Sequence, residues 1–303
     1  IAIRWSSLDE IHPPPRGAFP WPSITMLSSV SRTSTPQAAN PSLIAHNLSD
    51  SFSVMAEQGL GKNMAKSMKH WAESTKVVDK TRRGHLYTYT ISDMGELIFS
   101  DKGDRYLQYS DTIWLLHYLM VTNHKKNALW YYLFNCFSSE VFTKDSFINS
   151  LKAWLARIEY PSIPNTKQLE RDFNCCMNMY CLNESKRKRS MDEYFTSPFN
   201  QLQLISENKG EYRLRRMSSL EISKEMFSFC LLDYLKNYPK NSDVPFAEIQ
   251  HGEKSLGKVF NIVENTLVEY LESFVKMLNG TFEFESTAGM KTLFLLKEFP
   301  INY

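Results

Sequence analysis

The fold of the first part of this chain is decided by the stretch KNMAKSMKHWAEST, residues 62–75. Its apolar residues recur at positions i, i+4, i+7 and i+8, a spacing that places them on one stripe of an α-helix. The lysines of the stretch, together with Lys76, fall on the opposite side at about 100° per residue, with Glu73 among them. We therefore predict an amphipathic helix with a basic face from about Lys62 to Thr75. The apolar stripe consists of Met64, Met68, Trp71 and Ala72.

A hairpin is predicted directly after this helix. Val77-Val78 and the run His85–Ile91 are rich in β-forming residues, and a polar turn containing Arg82-Arg83-Gly84 separates them. Ser92 is then positioned to cap a further helix from Asp93 to Phe99. The predicted hairpin thus carries a basic tip and lies between two helices.

A further short helix is predicted ahead of residue 62. Ser49 or Asp50 can cap a helix that runs to about Gln58, and Gly59-Leu60-Gly61 then breaks it. Helix, tight turn, helix, basic-tipped hairpin and helix is the order of a winged helix-turn-helix. We assign this winged helix-turn-helix to residues 43–104.

The predicted winged helix suits DNA chemically. An α-helix fits the major groove of B-DNA, a row of lysines beside it can meet phosphates, and a basic hairpin tip can reach a neighbouring groove or the backbone. Free N–H groups at the start of the helix also favour phosphate. In the alternative interpretation, the lysine row is a solvated helix face and the hairpin only covers the core. The predicted DNA contacts are Lys62, Asn63, Lys66, Lys69, Lys76, Arg82 and Arg83.

Charge is distributed unevenly along the chain. The 303 residues carry a formal net charge of only +2. Residues 60–86 contain seven Lys or Arg and two acidic residues, whereas residues 217–303 contain eight Lys and twelve acidic residues. A local basic patch on a nearly neutral chain indicates a specific anionic partner.

The remaining sequence predicts a mainly α protein with small β-hairpins, of the α+β class. Residues 1–42 hold seven of the thirteen prolines and show no apolar period, which indicates a loop-rich or disordered arm. Residues 105–183 are expected to form a helical, aromatic-rich domain. Residues 184–216, which include Lys186-Arg187-Lys188-Arg189, are expected to form a basic linker. Residues 217–303 are expected to form a C-terminal α+β domain with winged-helix proportions.

The five cysteines indicate a reducing compartment, because their number is odd and their spacing matches no disulfide framework. No signal peptide is visible, and the longest apolar run, Ile113–Val121, is too short to span a bilayer. We therefore expect a cytoplasmic protein that does not enter a membrane. Cys175, Cys176 and Cys181 lack CxxC spacing, so we predict no metal site there. His117, within the apolar run, is interpreted as a core or interface histidine and not as a catalytic base.

Motifs of common enzyme classes are absent from the sequence. No GxxxxGK[ST] phosphate loop, HExxH zinc motif, GxSxG hydrolase motif or dinucleotide fingerprint occurs. Asp101, Asp104 and Asp111 could bind a hard cation, but solvated carboxylates on a polar loop are the preferred interpretation. The residues alone therefore assign no catalytic group.

A resemblance to a known family begins with the stretch GLGKNMAKSMKHWA, residues 59–72. This stretch resembles a bacterial family catalogued as a domain of unknown function, which includes the SspB-like proteins of DNA phosphorothioation defence clusters. Further parts of the family pattern recur in order, so the likeness runs from about residue 50 to residue 296. They are Gly95–Phe99, Thr112–His117, Trp130–Asn135, Leu169–Asp172, Ser197–Phe199 and Ser255–Phe260.

The resemblance implies a role in anti-phage defence, in the replacement of a non-bridging phosphate oxygen of DNA by sulfur. SspB-like proteins are associated with DNA nicking, which implies a nickase (an endonuclease) that opens the duplex. A divalent metal is the expected cofactor if the chain nicks DNA. The implied partners are DNA, a cysteine desulfurase, an ATPase and an ATP-pyrophosphatase-type enzyme. No catalytic residue transfers from the family pattern.

Two non-enzymatic functions are also compatible with the residues. A winged helix without catalytic motifs is typical of a transcription regulator, here of its own gene cluster, although the long aromatic middle exceeds what a simple repressor needs. The other function is that of an adaptor that holds proteins through both winged units. A palindromic operator bound without cleavage would favour the regulator. A tight protein partner without salt-sensitive DNA binding would favour the adaptor.

Overall fold

Helices and small antiparallel sheets make up the described part of the chain, which confirms the α+β class. The structure is a computed structural model. It describes residues 62–83, 86–160, 162–181, 197–236, 238, 243–287 and 290–297. The chain divides into two compact units, residues 1–126 with 183–199 and residues 127–182 with 200–303.

The first unit begins with a helix and a hairpin. Helix α1 (Lys62–Ser74) is followed by strands β1 (Val78–Arg83) and β2 (Leu86–Ile91), which pair antiparallel. Helices α2 (Asp93–Phe99) and α3 (Ser110–Val121) come next. From residue 62 onward, the predicted helix, hairpin and helix therefore form in the predicted order.

The strands of this hairpin extend further than the sequence predicts. The sequence analysis assigns Arg82 and Arg83 to the turn, but both belong to β1, where they pair with Tyr87 and Leu86. Adjacent positions of a strand fall on opposite faces of a sheet. Arg82 and Arg83 therefore end a strand directly beside the turn and do not form the turn itself.

Helix α1 ends before the last predicted lysine. Lys76 takes a left-handed backbone conformation, with φ of 56°. The N–H of Lys76 donates to Glu73 O at 3.3 Å and the N–H of Val77 donates to Ala72 O at 3.1 Å, the two hydrogen bonds of a Schellman cap. Lys76 therefore belongs to the cap and not to the lysine row of the helix, where the sequence analysis places it.

Ser92 joins this cap to the next helix. Its backbone N–H donates to Val77 O at 3.2 Å, and its hydroxyl donates to Lys76 O at 2.6 Å and accepts from the N–H of Gly95 at 3.0 Å. The predicted capping of α2 by Ser92 is confirmed. Glycine is required at position 95, because an added Cβ would lie 2.2 Å from Val77 O and 2.5 Å from the side chain of Ile91.

We predict that Gly95→Ala destabilises the protein, although alanine is normally better than glycine inside a helix by about 1 kcal/mol. The added methyl group would overlap the backbone carbonyl of Val77, and this clash outweighs the gain in helix propensity. We therefore expect the free energy of unfolding to fall by about 1–3 kcal/mol, the range of other overpacking substitutions. Urea denaturation measures the change.

The matched control is Gly210→Ala. Nothing lies within 4 Å of a Cβ at this position, and only its positive φ of 84° opposes the substitution. If Gly95→Ala proves neutral or stabilising while Gly210→Ala destabilises, the close approach at residue 95 is not a constraint on the fold.

The loop between α2 and α3 is organised by Asp104. The sequence analysis interprets Asp101, Asp104 and Asp111 as solvated carboxylates, but Asp104 is only 3% exposed. Its carboxylate oxygens accept the backbone N–H groups of Gln108 and Tyr109 at 2.8 and 2.9 Å. These two hydrogen bonds offset the burial of the carboxylate and fix the chain just before α3.

Helix α3 is buried almost throughout. Every residue from Thr112 to Val121 is buried, and the ring of His117 contacts those of Trp114 and Phe199. A helix that is apolar all round belongs in a core. The interpretation of His117 as a core histidine is confirmed by its 0% exposure.

The second unit opens with a helical segment that ends in a wider turn. Helix α4 (Ala128–Tyr131) continues as a π-helix (Tyr132–Cys136). Strand β3 (Val141–Thr143) then precedes helices α5 (Lys144–Arg157) and α6 (Thr166–Tyr180). The last residue of β3, Thr143, caps α5, because its hydroxyl oxygen accepts the backbone N–H of Ser146.

A hairpin follows where the sequence analysis expects a linker, at 184–216. After a 3₁₀-helix (Pro198–Leu202), strands β4 (Ile205–Asn208) and β5 (Glu211–Leu214) pair with each other. Strand β5 also pairs with β3, so the sheet order is β3-β5-β4. The four-residue strands carry few buried side chains, so their period-two pattern is too weak to recognise in the sequence.

The rest of the second unit repeats this order of elements. Helix α7 (Lys224–Leu235) is followed by strand β6 (Val244–Pro245) and by the short helices α8 (Phe246–His251) and α9 (Leu256–Val259). The unit then continues with helix α10 (Glu264–Met277) and strands β7 (Phe282–Thr287) and β8 (Met290–Leu295). Helix α10 and the β7–β8 hairpin agree with the α+β class expected for this part of the chain.

The two halves of the second unit share one sheet arrangement. In each sheet the last strand lies in the middle, flanked by the strand that opens the half and by its own hairpin partner, in the orders β3-β5-β4 and β6-β8-β7. Arg215 follows β5 and forms an ion pair with Glu221 at 2.5 Å. The next residues connect the halves, since Met217 forms a parallel bridge with Ile262.

Other expectations fall partly on residues that are not described. The predicted arm at 1–42, the predicted helix at 50–58 and the basic run at 186–189 lie outside the described residues. Among the helices that the structure describes, none is both long and apolar enough to cross a membrane.

Candidate nucleic-acid interface

One face of the β1–β2 hairpin is directed toward helix α1. Lys80 and Arg82 of β1 lie on this face, directly opposite Tyr89 and Tyr87 of β2. Tyr89 is 7% exposed, whereas Tyr87 is 50% exposed. The base of the hairpin is therefore held against the helix, and its outer part presents an exposed aromatic ring beside a cation.

The carboxylate of Glu73 connects α1 to the hairpin. Its side chain is only 8% exposed. It accepts the hydroxyl of Tyr89 at 3.1 Å and pairs with the ammonium groups of Lys80, at 3.3 Å, and of Lys126. Burial raises the pKa of Glu73, but Lys126 and the other donors outweigh it, so the pKa lies below its ordinary value. Glu73 is therefore a covered, ionised acceptor with three donors.

Two lysines lie over the tyrosine rings of the hairpin. The Nζ of Lys80 is 4.3 Å from the ring centre of Tyr87 and 5.5 Å from that of Tyr89. The Nζ of Lys69 is 5.4 Å from the ring centre of Tyr89. An ammonium group over an aromatic face gains about 0.5–1 kcal/mol at exposed sites. We name Lys69, Lys80, Arg82 and Tyr87 the helix–hairpin surface.

The structure places some of the seven predicted DNA contacts on this surface and others elsewhere. Lys69 and Arg82 belong to the helix–hairpin surface, and Arg82 is exposed. Lys76 is exposed at the cap of α1, where its Nζ donates to Thr122 Oγ1 at 3.4 Å. The side chains of the other four predicted contacts lie outside the described residues. They are Lys62, Asn63, Lys66 and Arg83.

Sequence reasoning missed three members of this arrangement, Lys80, Tyr87 and Lys126. Tyr87 stands in a run of β-forming residues, and its exposure depends on the register of the hairpin, because a shift by one residue would exchange the two faces. Lys80 belongs to the basic patch, but only its pairing with Tyr89 shows where it points. Lys126 is far from Glu73 in sequence, so no local pattern could have joined them.

The helix–hairpin surface has the chemistry of a phosphate-backbone contact. Ammonium and guanidinium groups neutralise phosphates, and a tyrosine hydroxyl donates to phosphate oxygen. An exposed tyrosine ring can also stack on an unpaired base. The carboxylate of Glu73 is covered and offsets one of the four positive charges of Lys69, Lys80, Arg82 and Lys126, so this group of side chains remains net positive.

The described side chains form no cluster that would bind a divalent metal. Throughout the described ranges, no group of three or more His, Cys, Asp or Glu side chains is arranged to hold a metal ion. All five cysteines are free thiols, and Cys176 and Cys230 are buried. No step of a reaction is therefore assigned to a metal.

We predict that Glu73 makes the stability of the protein depend on pH. Its folded-state pKa lies below the ordinary value of 4.5, so its contribution is complete above that value and is lost as the pH falls through the folded-state pKa. Glu73→Gln should lower the free energy of unfolding at neutral pH by about 1–3 kcal/mol, because three donors lose their shared charged acceptor. Urea denaturation between neutral and acid pH measures both effects.

The control for this experiment is Glu96→Gln, which removes an exposed carboxylate from helix α2. It should leave stability at neutral pH nearly unchanged. If Glu73→Gln retains the full decline of stability in acid, another group is responsible for it.

We predict that Lys76→Gly stabilises the protein by about 1 kcal/mol, because a residue with a Cβ pays roughly that cost in the left-handed conformation. Lys76→Ala removes the same side chain without relieving the backbone, so it should not stabilise. Thermal unfolding compares the two variants. Equal melting temperatures for both would mean that the left-handed cap is not strained.

The sequence profile of a family described as Protein of unknown function (DUF4007) matches residues 39–300 of this chain. The match covers most of the chain, so the protein belongs to this family. No curated protein matches the sequence.

Solved structures of SspB share the fold. An SspB crystal structure superimposes with a TM-score of 0.77 at 18% sequence identity, over 90% of this chain and 80% of the SspB chain. A magnesium ion-bound SspB crystal structure gives a TM-score of 0.76 at 18% identity, with the same coverage. The resemblance to SspB-like proteins inferred from the sequence is confirmed, and at this identity the likeness establishes the fold.

Proposed function

We propose that this member of the DUF4007 family binds DNA through its helix–hairpin surface and acts as a component of a bacterial DNA phosphorothioation system. The observation that carries the proposal is the grouping of Lys69, Lys80, Arg82 and Tyr87 on one side of a helix and its hairpin. Cationic side chains beside an exposed aromatic ring can contact the phosphate backbone and the bases of a nucleic acid. Such a role belongs in the cytoplasm, where the DNA is.

The proposal includes winged-helix architecture for the first unit. Helix α1 followed by the β1–β2 hairpin corresponds to the recognition helix and wing of that fold. The second unit supports this assignment, because each of its halves has a helix, a strand, further helices and a hairpin in winged-helix order. Its acidic C-terminal half suits protein contact better than DNA contact.

The shared fold with SspB supports the place in phosphorothioation. In that role the protein engages DNA, while a cysteine desulfurase, an ATPase and an ATP-pyrophosphatase-type enzyme supply and insert the sulfur. The partner enzymes bring the sulfur chemistry, so this chain needs no sulfur-carrying site of its own.

The affinity for duplex DNA across a range of salt concentrations tests the helix–hairpin surface. The double variant Lys69→Gln/Arg82→Gln should weaken binding by about 5-fold per lost phosphate contact near physiological salt, and should reduce the slope of log K against log salt by about 0.9 per contact. Fluorescence anisotropy with a labelled duplex measures both quantities.

The matched control is Lys102→Gln/Lys224→Gln, which removes the same charge from exposed residues that are not part of the helix–hairpin surface. This control should bind as the unchanged protein does, apart from a small effect of net charge. An unchanged salt slope in Lys69→Gln/Arg82→Gln, or an equal loss in the control, would place the DNA contact on a different surface.

Strand nicking is the second candidate activity, and the existence of a magnesium ion-bound SspB structure favours testing it. Purified protein is incubated with supercoiled plasmid, with Mg²⁺ or with EDTA, and the products are separated on a gel. Open-circular product that depends on Mg²⁺ and is lost in Lys69→Gln/Arg82→Gln identifies a nickase that acts from this surface. A shifted but intact supercoiled band identifies a DNA binder without cleavage. A transcription regulator is then the preferred hypothesis for the function.

A further inference from the structure

Helices α6 and α10 occupy equivalent places in the two halves of the second unit. Each is the last α-helix of its half and is followed by the hairpin of that half, β4–β5 or β7–β8. In a winged helix-turn-helix, the helix in this place is the one that lies in the major groove of DNA. The exposed faces of α6 and α10 can therefore be compared position by position.

The buried face of α6 fixes how the helix is presented to solvent. The ring centre of Phe173 lies 5.4 Å from that of Phe147 on α5 and 5.2 Å from that of Tyr212 on β5. Leu169 and Met177, one turn before and after Phe173, are buried as well. The helix is thus anchored against its neighbours along one side, and the opposite side is left open.

This open side of α6 carries a strip of four exposed polar side chains. They stand at positions i, i+4, i+7 and i+11, which fall within about 60° of the helix circumference and extend over about 16 Å of its length. Two of them are cations, two are amides, and none is a carboxylate. We name Lys167, Arg171, Asn174 and Asn178 the α6 strip.

Helix α10 has exposed residues at the same spacing, but their charge is opposite. A helix face that only keeps the chain in water can carry charges of either sign. The α10 face does so, with two carboxylates and one ammonium group, whereas the α6 strip holds only cations and amides. The difference between two equivalent helices indicates an anionic partner for α6. The four residues of α10 are Asn265, Glu269, Glu272 and Lys276.

A further cation stands at the start of α6. The Nζ of Lys152, on α5, donates to Thr166 Oγ1 at 2.7 Å, which places its ammonium group beside the first turn. That turn contains no acidic residue, so its backbone N–H groups and Lys152 together favour a phosphate. The two carboxylates of α6, Glu170 and Asp172, are half-buried outside the strip. The exposed charge of this side is therefore positive.

The β4–β5 hairpin of the same half is balanced in charge. The exposed carboxylates of Glu207 and Glu211 are matched by the exposed cations of Lys209 and Arg213. The hairpin itself therefore neither attracts nor repels DNA strongly, so the contact depends on α6 and Lys152.

We propose that the α6 strip lies in the major groove of duplex DNA and reads base edges. Arginine can pair with both acceptors of guanine, and asparagine with the donor and acceptor of adenine. Arg171 and the two asparagines lie within about 11 Å along the helix, so the preferred site holds a guanine within about three base pairs of an adenine. Lys167 and Lys152 contact phosphate. The proposal rests on the proposed function, because its ligand is again DNA.

The α6 strip and the helix–hairpin surface belong to different units and have different effects on binding. Lys69→Gln/Arg82→Gln should weaken binding to every duplex and keep the sequence preference. Asn174→Ala/Asn178→Ala should keep the affinity for arbitrary duplexes and lose the preference. A variant that changes only one of these quantities shows which of the two proposals fails.

Selection of bound duplexes from a library with ten randomised base pairs tests the α6 strip. Sequencing should show an enriched site that contains guanine and adenine. In fluorescence anisotropy, the enriched duplex should bind at least about 10-fold more tightly than a scrambled duplex, the discrimination expected of one or two bidentate contacts. Asn174→Ala/Asn178→Ala should reduce this ratio to less than about 2-fold.

A matched pair of single variants separates base reading from net charge. Arg171→Gln should weaken binding to the enriched duplex about 10-fold. Lys276→Gln removes the same charge from the equivalent face of α10 and should bind as the unchanged protein does. All of these side chains are exposed, and circular dichroism verifies that each variant is folded.

Three outcomes would overturn the proposal. The first is a library that shows no enriched sequence, and the second is an enriched sequence whose preference survives in Asn174→Ala/Asn178→Ala. The third is an equal loss of affinity in Arg171→Gln and Lys276→Gln, which would reduce the effect of α6 to net charge.

Discussion

The buried carboxylate of Glu73 is the contact on which the candidate DNA surface depends. It joins the last turn of α1 to the hairpin through Tyr89 and Lys80, and to the segment after α3 through Lys126. An ionised side chain that is only 8% exposed is stable only while its donors remain in place. The contact therefore holds these donors, and the segments that carry them, in position. The Schellman cap at Lys76 and the close approach of Gly95 to Val77 complete the frame. The hairpin is therefore fixed at its base, and its exposed outer part is free to meet a ligand.

The second unit contains the same arrangement of a three-stranded sheet and its helices twice. Each half covers a three-stranded antiparallel sheet with its own helices, and the core residues that do so differ between the halves. Aromatic side chains fill the first half around Phe142, Phe147 and Phe173. In the second half, Tyr270 stacks on Phe227 at 4.3 Å, and its hydroxyl bonds both backbone groups of Ile222.

The sequence predicts the elements that local rules determine. The apolar stripe of α1, the hairpin after it and the Ser92 cap all follow from spacing or capping within a few residues. It does not predict features that depend on distant partners. Lys76 lies outside the helix because the cap requires a residue in the left-handed conformation. Asp104 is buried because its carboxylate accepts two backbone N–H groups. The hairpin at 205–214 is recognisable only through its pairing with β3. The exposure of Tyr87 is likewise a property of the register of the hairpin.

Hydrogen–deuterium exchange of the full chain, with and without a short DNA duplex, tests the central claim most directly. The account predicts slowed amide exchange in α1 and in the β1–β2 hairpin when DNA is added, and no comparable change in α7 or α10. Backbone protection reports where DNA lies without any substitution, so it does not depend on the stability of a variant. Protection confined to the second unit, with α1 and the hairpin unchanged, would contradict the account.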